Sequence, residues 1–174
     1  MKKAIFIDRD GVINEDLGYV NDWSNFRLYN DFLPFLEHVT KASYIPIIVT
    51  NQSGIYRGYY TENKFHHLML RFNQYLIKHN FEPIHYYYCP HSPNQPFECE
   101  CRKPLPGMVL KAIKEFNLKA SECILVGDKM TDIYCARAAK IQNSYLLSRN
   151  YNFLNSLKSN FYTEISSLHQ IKLS

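Results

Sequence analysis

An α/β fold, with a mostly parallel sheet and helices on both faces, is predicted by three features of this sequence. Short apolar runs alternate with amphipathic segments of helical period from residue 4 to residue 147, with no linker between them. Chemistry-bearing residues stand at the ends of those runs, and open α/β sheets gather their reactive groups on that edge. The 174 residues are enough to bury one substantial core, and residues 1–174 are read as a single domain.

The elements follow in order. The apolar run 4–7 reads as a strand and ends in Asp8-Arg9-Asp10-Gly11-Val12. Successive side chains leave a strand on opposite faces, so two carboxylates one residue apart can take different tasks. After a polar, aromatic-containing loop over 11–30, a helix is expected at 31–43, with Asp31 as its N-cap and Pro34 in the first turn. The β-rich run 44–50 ends in Asn51-Gln52-Ser53-Gly54. A helix over 61–79 has Thr61 as cap and an apolar stripe of Phe65, Leu68, Met69, Phe72 and Leu76. A strand at 84–88 leads into a Cys/His loop at 89–101, and a helix at 107–117 buries Val109, Ala112, Ile113 and Phe116. A strand at 123–126 ends in Gly127-Asp128-Lys129, then come a helix to about residue 140 and a strand at 144–147. Residues 148–174 read as a C-terminal wrap with one or two weak helices.

Composition narrows the partners. At 46% hydrophobic and 21% charged the chain is globular, and no apolar stretch is long enough to span a bilayer, so no membrane partner is expected. The apolar run after Met1-Lys2-Lys3 stops at Asp8, too early for a signal-peptide core, and a cytoplasmic location is expected. The net charge of +4 is scattered, with no Lys/Arg block, which suits a small anion and argues against nucleic acid. Five cysteines, an odd number, argue against a disulfide framework. Cys123 and Cys135 read as buried small apolar residues.

Hydrolysis of a phosphomonoester needs a divalent cation and a cationic side chain to neutralise the phosphoryl oxygens. It also needs a nucleophile, and an acid that protonates the leaving oxygen and later activates water. Each role has a candidate here: Asp8 as nucleophile and Mg²⁺ ligand, Asp10 as acid/base, Asp128 as a second Mg²⁺ ligand, Lys103 as the balancing cation. Thr50 and Asn51 can donate to phosphoryl oxygens. Asp132, one helical turn after Asp128, is open between a role beside the metal and an exposed helix charge.

Taken in order, Asp8-Arg9-Asp10-Gly11, Thr50-Asn51-Gln52-Ser53-Gly54, Arg102-Lys103-Pro104 and Gly127-Asp128-Lys129-x-x-Asp132 resemble the four motifs of haloacid dehalogenase superfamily phosphatases. The resemblance implies a Rossmann-like sheet, Mg²⁺ dependence, a phosphoaspartyl intermediate on Asp8, and the backbone carbonyl of Asp10 as a further metal ligand. About 35 residues separate the first two motifs, and a helix uses a third of them, so no cap domain fits there. The stretch before Lys103 leaves no room for one either. Specificity is therefore expected from loops 16–29, 52–60 and 92–102, and a monomer is expected.

Cys89, His91, Cys99 and Cys101 place three thiols and an imidazole within thirteen residues. That set suits a closed, structural tetrahedral Zn²⁺ site, with bonds of about 2.0–2.3 Å. The loop between them, with Pro93 and Pro96, cannot build a core of its own. It is similar to the zinc loop of the D-glycero-D-manno-heptose 1,7-bisphosphate phosphatases and the related histidinol-phosphate phosphatases. Gln52-Ser53-Gly54-Ile55-x-Arg57-Gly58-Tyr59, Arg102-Lys103-Pro104-x-Pro106-Gly107-Met108 and Asp16-x-Gly18-Tyr19-Val20 resemble the heptose branch. That resemblance implies substrate contacts from Asp16, Leu17, Gly18, Tyr19, Thr50, Asn51, Gln52, Ser53, Arg102 and Lys129, with Arg102 reading the phosphate that remains. It also implies removal of the 7-phosphate of a sugar bisphosphate, a step in making nucleotide-activated heptose for a lipopolysaccharide core or surface glycan. Histidinol phosphate is the alternative substrate. A zinc-stapled interaction domain without catalysis is the alternative of another class, and retention of Asp8, Asp10, Lys103 and Asp128 argues against it.

Overall fold

β1 (Lys3–Ile7) lies inside a seven-stranded sheet in the computed structural model of the chain, which describes residues 2–149, 157–158 and 161–173. The other strands are β2 (Tyr44–Asn51), β3 (His85–Cys89), β4 (Ile124–Gly127), β5 (Asn143–Leu147), β6 (Leu157–Lys158) and β7 (Thr163–Ile165), in the spatial order β3-β2-β1-β4-β5-β7-β6. All neighbours run parallel except β6, which pairs antiparallel with β7. Pro46 is tolerated inside β2 because pairing with β3 starts only at Ile47, so that flank needs no N–H from it.

Among the described residues four α-helices cover the two faces: α1 (Phe32–Lys41), α2 (Glu62–Lys78), α3 (Gly107–Phe116) and α4 (Met130–Ala138). Period-2 alternation splits β1 between them. Ile5 and Ile7 pack with Phe32, Phe35 and Leu36 of α1 and with Phe65, Phe72 and Leu76 of α2. Ala4 and Phe6 face Val109 and Ala112 of α3 and Cys135 and Ala136 of α4. The whole predicted stripe of α2 is buried, and Thr61 caps the helix by accepting from Lys64 N–H at 3.2 Å. Each such apolar side chain contributes about 1.5–3 kcal/mol by leaving water. Cys123 and Cys135 are buried as expected.

One expectation is corrected. Asp31 does not cap α1 with its side chain: its own backbone is helical (φ −82°, ψ −8°), and its carboxylate turns to Arg149, Ser167 and Leu168 instead. The C-terminal wrap expected over 148–174 is described only in part. Its described residues form β6, β7 and one short 3-10 helix, Leu168–Gln170, with Ser148 N–H donating to Ile165 O at 2.8 Å. Residues 150–156, 159, 160 and 174 of that predicted wrap lie outside the described residues. No helix among the described residues is long and apolar enough to cross a membrane.

The connections β1–β2 and β2–β3 carry α1, α2 and a short helical turn, Trp23–Asn25, and no further sheet. The C-terminal edge of the sheet is thus left to loops. The strand order switches sides between β1 and β4, with β2 and β3 added on one side of β1 and β4 and β5 on the other, and this is the crevice where open α/β sheets place ligands.

Candidate active site

Asp8 follows β1 at that crevice, and its backbone N–H donates to Val126 O of β4 at 2.9 Å. This pairing brings the Asp8 and Asp128 ends together. A cavity of about 370 Å³ opens above them, lined by Asp8, Asp10, Thr50, Arg102, Lys103 and Asp132 among others. Asp16, Gly18, Tyr19, Asn51, Gln52, Ser53 and Lys129 complete the predicted residues found in its wall, with Tyr60 and Thr131 beside them. Leu17 is not in the wall; it is half exposed on the loop. Asp128 lines an adjoining cavity with Gly11 and Asp16.

Lys103 is buried, and its Nζ lies 2.8 Å from Asp8 Oδ1, 2.5 Å from Asp132 Oδ1 and 2.8 Å from Val49 O. Burial alone would lower its pKa, but Asp132 and Asp8 overcome that and raise it, so the ammonium is held charged. Asn51 fixes the lysine's backbone from both sides: Lys103 N–H donates to Asn51 Oδ1, and Asn51 Nδ2 donates to Lys103 O, each at 3.1 Å. The Asn51 amide is thereby engaged with Lys103, which sequence reading did not foresee.

Asp8, Asp128 and Asp132 each offer an oxygen within 4.8 Å of the others, a set that fits a hard divalent cation. Burial and then the charge of Asp8 push the Asp128 carboxyl up to about 7. Its Oδ1 is buried and lacks a hydrogen-bond partner among the described residues. Gly11 makes room for it: a Cβ there would meet Asp128 Oδ2 at 2.3 Å, and φ is +87°, a conformation natural only to glycine. Asp132 differs. Its Oδ2 accepts from Lys129 N–H at 3.2 Å, while its buried Oδ1 is ion-paired with Lys103 at 2.5 Å without a hydrogen bond among the described residues. Burial pushes its carboxyl up to about 6 although Lys103 pulls it down.

Asp10 is held apart from this cluster. Arg9 Nη2 reaches both of its oxygens at 2.6 and 2.5 Å, Asn14 donates to Oδ1 at 3.0 Å, and Gln52 to Oδ2 at 3.1 Å. Gln52 Nε2 also donates to Thr50 Oγ1 at 2.8 Å, and Tyr60 O–H donates to Gln52 Oε1 at 2.6 Å. Arg9, Asn14 and Tyr60 were missed by sequence reading, because none lies in a pattern that marks a buried polar network.

At the rim, Lys129 Nζ lies 3.1 Å from Asp16 Oδ2 and 3.4 Å from Asp128 Oδ2. Burial would raise the Asp16 pKa, but Lys129 outweighs it and lowers the value. The three predicted loops meet through ring edges: Tyr19 packs on Tyr59 at 4.7 Å and Tyr56 on Phe97 at 6.1 Å.

The Cys/His loop closes on itself. The Sγ atoms of Cys89, Cys99 and Cys101 and Nδ1 of His91 lie 2.9–3.6 Å apart, converging as four ligands of one tetrahedral ion would. Burial pushes the Cys99 thiol up, yet hydrogen bonds from Cys101, Arg102 N–H and His91 bring it down to about 6. Arg102 Nη1 donates to His91 O at 2.9 Å, so this loop holds the guanidinium directly.

A family model described as haloacid dehalogenase-like hydrolase matches residues 3–140. The D-glycero-beta-D-manno-heptose-1,7-bisphosphate 7-phosphatase of Pasteurella multocida is 41% identical over 151 residues, which is 84% of this chain and 82% of that one. The protein of the same name from Helicobacter pylori strain J99 is 38% identical over 85% of this chain and 84% of its own. Among solved structures, a had-like phosphatase of Mesorhizobium loti superposes with a TM-score of 0.82 at 27% identity, covering 94% of this chain and 78% of that one. The D,D-heptose 1.7-bisphosphate phosphatase of B. bronchiseptica, solved with magnesium and phosphate, gives 0.81 at 24% identity over 95% and 93% of the two chains. The matched stretch runs from the strand that delivers Asp8 to the end of the helix that follows Asp128, and the chain belongs to the haloacid dehalogenase-like hydrolases.

Proposed function

We propose that this chain is a Mg²⁺-dependent phosphatase that removes the 7-phosphate of D-glycero-β-D-manno-heptose 1,7-bisphosphate. The observation that carries the reading is Asp8 at the floor of the cavity, paired with Lys103 at 2.8 Å, next to an Asp10 carboxylate held by separate donors. Relatives 36–41% identical over most of the chain bear that enzyme's name, and the β anomer is part of it.

The residues divide the work as follows. Asp8 attacks phosphorus while Asp10 gives a proton to the departing sugar oxygen, leaving the phosphoryl group on Asp8. Asp10 then takes a proton from water, which attacks that phosphoryl group and frees Asp8 and inorganic phosphate. Lys103 balances the phosphoryl charge, Thr50 donates to a phosphoryl oxygen, and Asn51 keeps the lysine in place. Asp8, Asp128 and the backbone carbonyl of Asp10 are the groups that would hold Mg²⁺, which when bound neutralises charge on the phosphoryl group. Asp132 positions Lys103. Cys89, His91, Cys99 and Cys101 would hold structural Zn²⁺, keeping Arg102 aimed at the remaining phosphate. Asp16, Gly18, Tyr19, Gln52, Ser53 and Lys129 line the path of the sugar. The enzyme acts as a cytoplasmic monomer on a small bisphosphate, with neither nucleic acid nor membrane as partner.

The test is phosphate release with Mg²⁺ from both anomers of the heptose 1,7-bisphosphate, histidinol phosphate and fructose 1,6-bisphosphate. The β anomer is expected to give the highest kcat/KM. Preference for histidinol phosphate would overturn the substrate.

A further inference from the structure

Arg9 is an arginine with no exposed surface, standing between the two carboxylates of the first motif. Lone buried charges are costly, and an arginine so placed is uncommon in a core. Its guanidinium lies over the rings of Phe26 and Phe65, at 6.0 and 5.8 Å, and its Nη1 has no hydrogen-bond partner among the described residues. Its remaining N–H groups are all spent on two targets. Nε and Nη2 grip the Asp10 carboxylate at 3.1, 2.6 and 2.5 Å. Nη2 also donates to the backbone carbonyl of Val20 at 2.9 Å.

Val20 directly follows Tyr19 on the loop that carries Asp16, Gly18 and Tyr19 into the cavity wall. One rigid fork therefore joins the acid/base carboxylate to the loop that lines the substrate's path. A lysine could not do this, because a single ammonium lacks the planar, two-pronged geometry. The rings of Phe26, from the loop, and Phe65, from α2, pack near the guanidinium and help hold it.

We infer that Arg9 is a positioning residue: it sets the Asp10 carboxylate for proton transfer and ties that setting to the substrate loop through Val20. This rests on the reading of Asp10 as acid/base. The proton passes between Asp10 and the leaving oxygen or water, while Arg9 exchanges none.

An aryl phosphate separates the steps. Expulsion of p-nitrophenolate needs no proton, whereas hydrolysis of the phosphoryl group on Asp8 still needs Asp10 to accept one from water. Rapid mixing of the Mg²⁺-loaded enzyme with p-nitrophenyl phosphate follows wild type, Arg9→Lys, Arg9→Gln, Asp10→Asn and the double variant Arg9→Gln/Asp10→Asn. The Arg9 variants are expected to show a burst of p-nitrophenolate at the wild-type rate, then turnover slowed by about 10²-fold. The double variant is expected to be no slower than Asp10→Asn alone, since both changes remove the same function. Burst and turnover falling together, or additive losses in the double variant, would overturn the inference. So would loss of the cooperative thermal transition in both single Arg9 variants, which would make Arg9 a folding residue. If Asp10→Asn itself turns over the aryl phosphate normally, the acid/base reading of Asp10 fails instead.

Discussion

Asp132 Oδ1 lies 2.5 Å from Lys103 Nζ, with both side chains almost fully buried. The carboxylate one helical turn after Asp128 is thus engaged in holding the lysine. Asp132→Ala is expected to cut kcat by about 10²-fold, with the Mg²⁺ concentration needed for half-activation little changed. Titrating activity with Mg²⁺ checks this. A large rise in the Mg²⁺ requirement at unchanged kcat would make Asp132 a metal ligand.

The acidic cluster also has a pH signature in the metal-free protein. Burial and Asp8 raise the Asp128 carboxyl to about 7, and burial raises Asp132 to about 6, both above the ordinary 3.8 of an unfolded chain. Between those values the folded state binds more protons than the unfolded one, so stability falls as pH rises. The contribution is complete below about pH 4 and lost by about pH 7. Mg²⁺ replaces the protons, so it should raise the thermal midpoint more at pH 7.5 than at pH 5. Scans in EDTA and in Mg²⁺ at the two pH values measure this, and an equal shift at both would contradict it.

Arg102 is tied to the Cys/His loop by its Nη1–His91 O bond and by its N–H to Cys99 Sγ. Cys99→Ser, or zinc chelation with Mg²⁺ retained, should therefore lower the thermal midpoint and raise KM for the bisphosphate. A charge-assisted hydrogen bond is worth about 1.5–3 kcal/mol, or roughly tenfold to a hundredfold in KM. Hydrolysis of a monophosphate, which lacks the second anion, should lose less. Equal losses on both substrates, or unchanged turnover, would contradict the coupling.

Asp31 accepts from Arg149 Nη1 and Nη2, each at 3.0 Å, and from Leu168 N–H at 3.1 Å. Arg149 also donates to Val12 O at 2.9 Å and stacks on Tyr29 at 3.7 Å. This node fastens the strand β7 region to the loop that carries Asp8 and Asp10. Burial would raise the Asp31 pKa, but Arg149 and Leu168 N–H outweigh it and lower it below 3.8. Its stabilising share is present above pH 4 and lost as pH falls through the lowered value. Asp31→Asn is expected to cost about 1–3 kcal/mol at pH 7 and to speed amide exchange in residues 163–168. A loss that persists undiminished well below pH 3 would contradict this account.

Much of this was legible locally. The α2 stripe declared itself by period, the Cys/His cluster by four soft side chains in one loop, and the residues that line the cavity by their places after β1, β2 and β4. What was not legible depends on distant partners. Asp31 has the right residue type for a cap, but a partner 118 residues away takes its carboxylate. Thr163–Ile165 is too short to show a period, and it becomes a strand because β5 offers an open edge. Arg9 looked like a spacer between two carboxylates, since nothing in the flanking residues says that its side chain turns inward. The Asn51–Lys103 pairing joins loops 52 residues apart, so neither motif announces the other.

The most direct test of the central claim is chemical trapping at Asp8 during turnover of the heptose bisphosphate. Borohydride added in the steady state reduces an aspartyl phosphate to homoserine, and peptide mass spectrometry locates the change. The account predicts homoserine at position 8, dependent on substrate and Mg²⁺, and no turnover by Asp8→Asn. Modification at another carboxylate, or full activity in Asp8→Asn, would contradict it.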